Sequence, residues 1–484
     1  MNLNIACIKN FLNEEFLETL EKQLGFKDIQ TYFPVMENYF NIYNFPDCHL
    51  NYTFNSRYQI KDIYINNDEF TGLIFDTKNK TNDMKEIFLK ENPILEPLNY
   101  MMNRYRSENS NILLPYSFKY SQKSFNKVNL KNNSCYIDTF FVYIASKLTE
   151  NYYLPSFPYY YGSFCSISEI FNYDISEEYK SIKNSDWFLS NNNKLFSIDL
   201  EPDMLLKDSI DIKDIYKVYN FNNQYSIDNE TESNSSMDNP IDMDNTIDMV
   251  NPIDMDNTID VDNMNDNESM ELNIDDCFNS SDSDNDIDLE KNQHNIYANF
   301  KDYPTQTIIM EKLDGTIEDW IIEENNFLDL IDYNIFIKQS CLNTYFSCWR
   351  KRNYQHNRYQ KWLSVLYQTC FTLAYLQKHL SFTHNDLHCN NVMFKKTDLE
   401  YLYYNFNNTY YKIPTYGFII KIIDFGRAIY TIKNTTYFSD VFKINCDAGG
   451  QYTYPSKKTY SNNIHKPNYS FDLSRLSTTI INEL

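Results

Sequence analysis

Glycine is scarce in this sequence, with 8 among 484 residues, and the glycines nowhere fall as G-x-G-x-x-G. A backbone cradle for a pyrophosphate of that kind is therefore excluded. Long apolar runs are also missing. No stretch is long enough to span a bilayer, and Asn and Glu interrupt the segment from Met1 to Phe16, which lacks the apolar centre of a signal peptide. Nor is there an excess of cations: 43 Lys and Arg stand against 67 Asp and Glu, a net charge of −24. That balance argues against nucleic acid or an anionic membrane as the main partner. The ten cysteines contain no C-x-x-C pair and no metal-type Cys/His spacing, as expected of core thiols in a reducing compartment. These absences together predict a soluble, cytoplasmic chain without a membrane or nucleic-acid partner.

Aromatic residues are abundant, with 42 Tyr and 34 Phe, and Asn and Ile are heavy as well. Such usage follows from an AT-rich coding sequence, so single Asn and Tyr residues carry little functional meaning. The length allows two or three domains. An apolar stripe of Leu12, Phe16, Leu20 and Leu24 predicts an accessory helix stopped by Gly25, within an N-terminal helical extension over residues 1–57. Short β-like runs follow from Tyr58 to Lys90, then helices over Ile94–Tyr105 and Tyr136–Leu148, and a strand at Phe157–Phe164.

From Asn222 to Gln293 the composition turns to Asp, Asn and Ser, and a twelve-residue unit beginning at Asn239-Pro240 recurs at Asn251-Pro252. This tract cannot bury enough apolar surface to offset ordering entropy, and the expectation is a disordered acidic insert over 222–293 that could recruit a partner. Its Asp-x-Asp steps lack the glycine and closing Glu of a calcium loop. Order is predicted to return with a β-run at Thr305–Met310 in a segment over 294–312. A helix over Gln360–Leu380 and strands at Val392–Lys396 and Phe418–Ile423 follow.

Two motifs near the C-terminal end carry the chemistry. His384-Asn385-Asp386-Leu387-His388-Cys389-Asn390-Asn391 comes first, and Asp424-Phe425-Gly426 ends the second strand. Asp386 can accept a hydroxyl proton, while Asn391 and Asp424 supply hard oxygen ligands of the kind Mg²⁺ takes. Phosphoryl transfer needs this positioning and charge neutralisation and little covalent help, so the motifs point to that reaction.

The chain resembles the protein-kinase-like superfamily, and within it the divergent serine/threonine kinases of giant DNA viruses. The resemblance implies an α+β, two-lobed fold with a five-stranded sheet lobe and a helical lobe over 313–484, the sheet lobe beginning at 58–221. It implies ATP and Mg²⁺ as cofactors and a protein substrate. Lys90, ending Ile87-Phe88-Leu89-Lys90, matches the strand lysine that grips phosphates, with Lys119 as its competitor. Asp138 would be the acid paired with that lysine; the alternative is a solvated helix acid. Met310, Glu311 and Leu313 match the adenine-lining hinge, and Asp472 matches an acid that braces the catalytic loop. Gly449 to Pro455 resembles the end of an activation segment.

Several departures temper that picture. Only Gly72 stands where a glycine loop is expected. Asn385 replaces an arginine that would dock a phosphorylated segment, and His388 replaces a lysine near the γ-phosphate. The stretch Asp398–Tyr416 lengthens the spacing between the two acidic motifs and reads as a surface extension of the strand pair. Ser456 stands where the family has a Glu, and the C-lobe reads as truncated, without the helices after helix F. The competing readings are a pseudokinase that binds nucleotide or acts as a scaffold, and a small-molecule kinase of choline or aminoglycoside type.

Overall fold

The computed structural model describes residues 3–9, 13–40, 52–66, 69–105, 114–115, 127–199, 296–321, 341–443, 446, 448–449, 451 and 467–483. Lys119, the acidic tract 222–293, Gly450 and the stretch from Tyr452 to Ser456 lie outside them. The fold is a mixture of helix and sheet. By contacts the chain divides into a unit comprising Met1–Tyr173, Ser190–Ser197 and Asn299–Leu484, and another comprising Asp174–Leu189 and Ile198–Ala298. In the second unit a short helix runs from Ser176 to Ile182, and the Ser176 amide donates to Asp174 Oδ1 at 2.9 Å.

The first unit is built on a sheet. Six of its seven strands are β1 (Phe26–Gln30), β2 (Tyr58–Asn66), β3 (Glu69–Asp76), β4 (Thr81–Pro93), β5 (Tyr160–Asp174) and β6 (Tyr297–Glu311), in the order β1-β5-β6-β4-β3-β2. The run of β-like segments between Tyr58 and Lys90 resolves into the antiparallel β2-β3-β4 meander. The sheet exceeds the expected five strands in part because β1, from the N-terminal 57 residues, pairs with β5. Helix α1 (Glu14–Lys22) lies against the same sheet: Phe16 and Leu20 join Ile60, Ile74, Ile87, Phe164 and Ile309 in one core cluster. Gly72 sits within β3, where a Cβ would come 2.8 Å from Ile60 and 2.9 Å from Ile87. Close strand packing, and not a phosphate-binding turn, is what this glycine serves.

Alternation along β4 divides its side chains between two faces. Ile87 and Leu89 turn to the cluster under α1. Phe88, Lys90 and Asn92 turn the other way, toward helix α2 (Ser134–Glu150), as the contacts of Lys90 and Asn92 with Asp138 show. Asn133 caps α2 by accepting from the Cys135 amide. Every residue of α2 from Cys135 to Glu150 is buried. Its buried charges are paired, Lys147 with Glu150 at 2.9 Å and Asp138 with Lys90, as buried charges must be. Aromatic side chains pack around it: Tyr143 stacks on Phe54 at 4.2 Å, and Phe141 lies 4.8 Å from Phe382 and 4.6 Å from Phe425.

The Ile94–Tyr105 region forms only a short helix, Pro97–Met101, because Pro97 starts it and Asn103 adopts positive φ just beyond its end. The helix expected over Gln360–Leu380 is longer at its N-terminus. It runs from Cys341 to Leu380 and delivers the chain into the His384 motif. Beyond that motif, β7 (Val392–Lys396) and β8 (Phe418–Ile422) pair antiparallel. The extension between them folds as a hairpin, Tyr401–Phe406 against Thr409–Pro414, turned by Asn407 and Asn408, both at positive φ. Helix α3 (Phe471–Glu483) is the last described element.

Candidate active site

The ends of β4, α2, β8 and α3 bring together the polar groups that the sequence motifs singled out. Lys90 Nζ lies 2.7 Å from Asp138 Oδ2 and 3.1 Å from Asp424 Oδ1. Burial pulls the Lys90 ammonium down, but the two carboxylates outweigh it and hold its pKa above the usual range. Asp138 is 1 % exposed and fully engaged: Oδ2 also accepts from Asn92 at 2.8 Å, and Oδ1 accepts from the Phe425 amide at 2.7 Å. The buried acid therefore holds both the lysine and the backbone of the Asp424 motif. Asp424 stands at φ +63, in the left-handed region, with a half-exposed side chain whose carboxyl is brought down to about 2 mainly by Lys90.

The His384 loop is fixed from three sides. Asp472, on the first turn of α3, accepts from the His384 amide at 2.8 Å and the Asn385 amide at 2.9 Å. Its carboxyl is pushed up by burial, and nearby His384 and the two amides offset part of the rise. His384 Nε2 faces the Ile423 carbonyl at 2.9 Å, and its Nδ1 faces the Asp386 amide at 3.3 Å. A carbonyl can only accept and an amide only donate, so the ring carries its proton on Nε2. Asn385 sits at φ +66 and donates to the Arg427 carbonyl at 2.9 Å. Asparagine tolerates the left-handed conformation far better than most side chains, which is a backbone reason for Asn at this position.

Asn391 uses both amide hydrogens. Its Nδ2 donates to the Asp386 carbonyl at 2.8 Å and meets His388 Nε2 at 3.0 Å. The side-chain oxygen is thereby turned away from both, and among the described residues it has no partner. The amide nitrogen can only donate, so His388 Nε2 accepts in that contact, and burial lowers the His388 pKa below its ordinary value. Asp386 and Asp424 line one open cleft with Asp138, Asn92 and Arg427. Arg427 Nη1 is 3.3 Å and Arg475 Nη2 2.8 Å from the same Asp386 oxygen, Oδ1. Neither arginine was singled out in the sequence. Arg475 was legible in principle, since it lies one helical turn beyond Asp472.

Met310 is buried in β6 opposite Phe88, on the sheet face that carries Lys90. The Glu311 amide donates to the Tyr159 carbonyl at 2.9 Å, and its carboxylate accepts from the Tyr159 amide at 3.3 Å. The same carboxylate lies 3.6 Å from Lys421 Nζ, a buried lysine on β8 whose pKa burial lowers. Leu313 follows in the connection out of β6, and among the described residues no backbone group pairs with its amide.

Comparison with known proteins gives partial matches to kinases. Over 78 residues the chain is 44% identical to serine/threonine-protein kinase haspin of Mus musculus, covering 16% of this chain and 10% of that protein. Over 149 residues it is 28% identical to a protein of Acanthamoeba polyphaga mimivirus named "Putative serine/threonine-protein kinase R400", covering 29% of this chain and 28% of that one. The chain thus spans about a tenth of haspin and under a third of the viral protein. No family model matches the chain. These likenesses support a protein-kinase-like relationship over part of the sequence.

Proposed function

We propose that this chain is an ATP- and Mg²⁺-dependent phosphotransferase with a two-lobed, protein-kinase-like body, acting on Ser or Thr hydroxyls of a protein. One observation carries the reading: Lys90, Asp138 and Asp424, far apart in sequence, form one ion-paired cluster on the cleft that also holds Asp386. When bound, ATP supplies the phosphoryl group and Mg²⁺ neutralises charge on its phosphates. The donor set suits that ion. Asn391 keeps a bare amide oxygen because both its hydrogens are spent, and Asp424 offers a half-exposed, readily ionised carboxylate.

In this reading Lys90 pairs with the nucleotide's phosphates while Asp138 keeps it charged and aimed. Met310 lines the adenine pocket, and the Glu311 carbonyl and Leu313 amide read the base edge. Asp386 orients the acceptor hydroxyl and takes its proton. His388 acts through Asn391 by accepting from its amide. The hairpin β2–β3 occupies the sheet position of a glycine loop with Gly72 committed to strand packing, so phosphate closure falls to other groups.

The test is transfer of labelled γ-phosphate from Mg-ATP to a generic protein mixture, with Asp386→Asn alongside. Incorporation that disappears in the variant is the expected result. Magnesium-dependent ATP binding without transfer to proteins or to small alcohols would instead favour a nucleotide-binding pseudokinase.

A further inference from the structure

The first turn of α3 touches the His384 loop at two points with two different side chains. Asp472 takes the backbone amides of His384 and Asn385. Arg475, three residues later on the same helical face, reaches past the backbone to the Asp386 side chain, with Nη2 2.8 Å from Oδ1. Among the described residues Asp386 Oδ2 has no hydrogen-bond partner. The carboxylate is thus held asymmetrically: Arg475 and Arg427 both reach Oδ1 and neither reaches Oδ2, on a side chain that lines the cleft.

Building on the function proposed above, we propose that Arg475 is a positioning residue for Asp386, locking its carboxylate so that Oδ2 faces the acceptor hydroxyl. The planar guanidinium suits this task better than an ammonium, because its rigid geometry restrains rotation of the carboxylate as well as attracting it. Placement on α3 has a further consequence. The helix that braces the loop backbone also sets the base, so backbone and side chain are aligned by one rigid element. Arg475 Nε is itself buried and has no hydrogen-bond partner among the described residues. A side chain present only for packing would avoid leaving that donor unpaired.

The experiment compares wild type, Arg475→Ala and Arg475→Lys in γ-phosphate transfer to a mixed Ser/Thr peptide library. Arg475→Ala is expected to lower kcat about 100-fold, the order of loss for a misplaced reacting group, with KM for ATP unchanged within about twofold. Arg475→Lys should fall between the two. Adding free guanidinium ion well below denaturing concentrations should restore part of the alanine variant's rate, while sodium at matched ionic strength should not. If Arg475→Ala is poorly folded by thermal melting, Arg475→Gln carries the comparison, since it keeps the stem without the charge. Unchanged kcat, or a loss that guanidinium does not relieve, overturns the positioning role and leaves the phosphotransferase reading standing. A wild-type chain that transfers no phosphate overturns both.

Discussion

Lys90 stands between two carboxylates in different surroundings, one buried and one open to the cleft. Replacing it by Met strands Asp138 with only two hydrogen-bond donors in place of a cation. We expect Lys90→Met to destabilise the fold by about 3 kcal/mol at neutral pH. Urea denaturation measures this, and Asp138→Asn in the same background should recover part of it. The pH dependence has a definite sign. Lys90 depresses the Asp424 carboxyl from 3.8 to about 2, so this stabilisation is full above pH 4 and is lost as pH falls through about 2. Wild-type and Lys90→Met stabilities should therefore converge on acidification. For His388, whose pKa is lowered by burial, the neutral form is the one that accepts from Asn391. Under the proposed function, transfer activity should then hold steady near neutrality and fall only below the ordinary histidine value of 6.5. At this scale the sequence was informative where residues adjoin in one motif, as with Asp386 and Asn391. It left Lys90 and Lys119 open because 48 residues separate Lys90 from Asp138, and pairing across that distance is decided by the sheet. For His388, which replaces a lysine, the sequence left open whether the ring is neutral or charged; its burial and its contact with Asn391 are not visible in a linear motif.

Two elements show what local sequence does and does not specify. In β3, Gly72 fills a place with no room for a methyl group between Ile60 and Ile87. Gly72→Ala should cost about 1–3 kcal/mol through overpacking, and Ile60→Val should relieve part of it. Differential scanning calorimetry of the three variants checks this. In α3, Asp472→Ala removes the acceptor for two buried amides and is expected to cost about 2–4 kcal/mol, with the His384 and Asn385 amides losing protection from hydrogen exchange. Equal protection in the variant would show that the helix does not brace the loop. The strands flanking the Asp424 motif were readable because each combines apolar alternation with a clear stop. The helix leading into His384 was read short because Arg, Lys, Asn and His crowd Arg350 to Arg358 and break the apolar stripe, although the backbone remains helical there. The union of β1 with β5 was hidden, since strand partners distant in sequence leave no periodicity to read.

Across the whole molecule the excess of negative charge is unbalanced, at −24, and self-repulsion is expected to lower stability in dilute buffer. Raising NaCl from about 10 to 150 mM, which shortens the screening length from about 30 to 8 Å, should raise the melting temperature. A fall would mean that attractive surface pairs outweigh the repulsion. The α+β class followed from the resemblance carried by the two motifs, and the mixture of helix and sheet agrees with it, whereas the strands beyond five and the sheet-bound N-terminal segment depend on long-range packing. The burial of α2 carries one last consequence. A helix enclosed from Cys135 to Glu150 has no wet side on which to roll, and any rotation drags core side chains into water. The distance between Lys90 and Asp138 is accordingly set once, when the chain folds, and is unsuited to serve as a dial. Heating should therefore break the Lys90–Asp138 pair and tertiary structure at a single midpoint, with no intermediate temperature range in which the chain stays compact but has let go of its lysine.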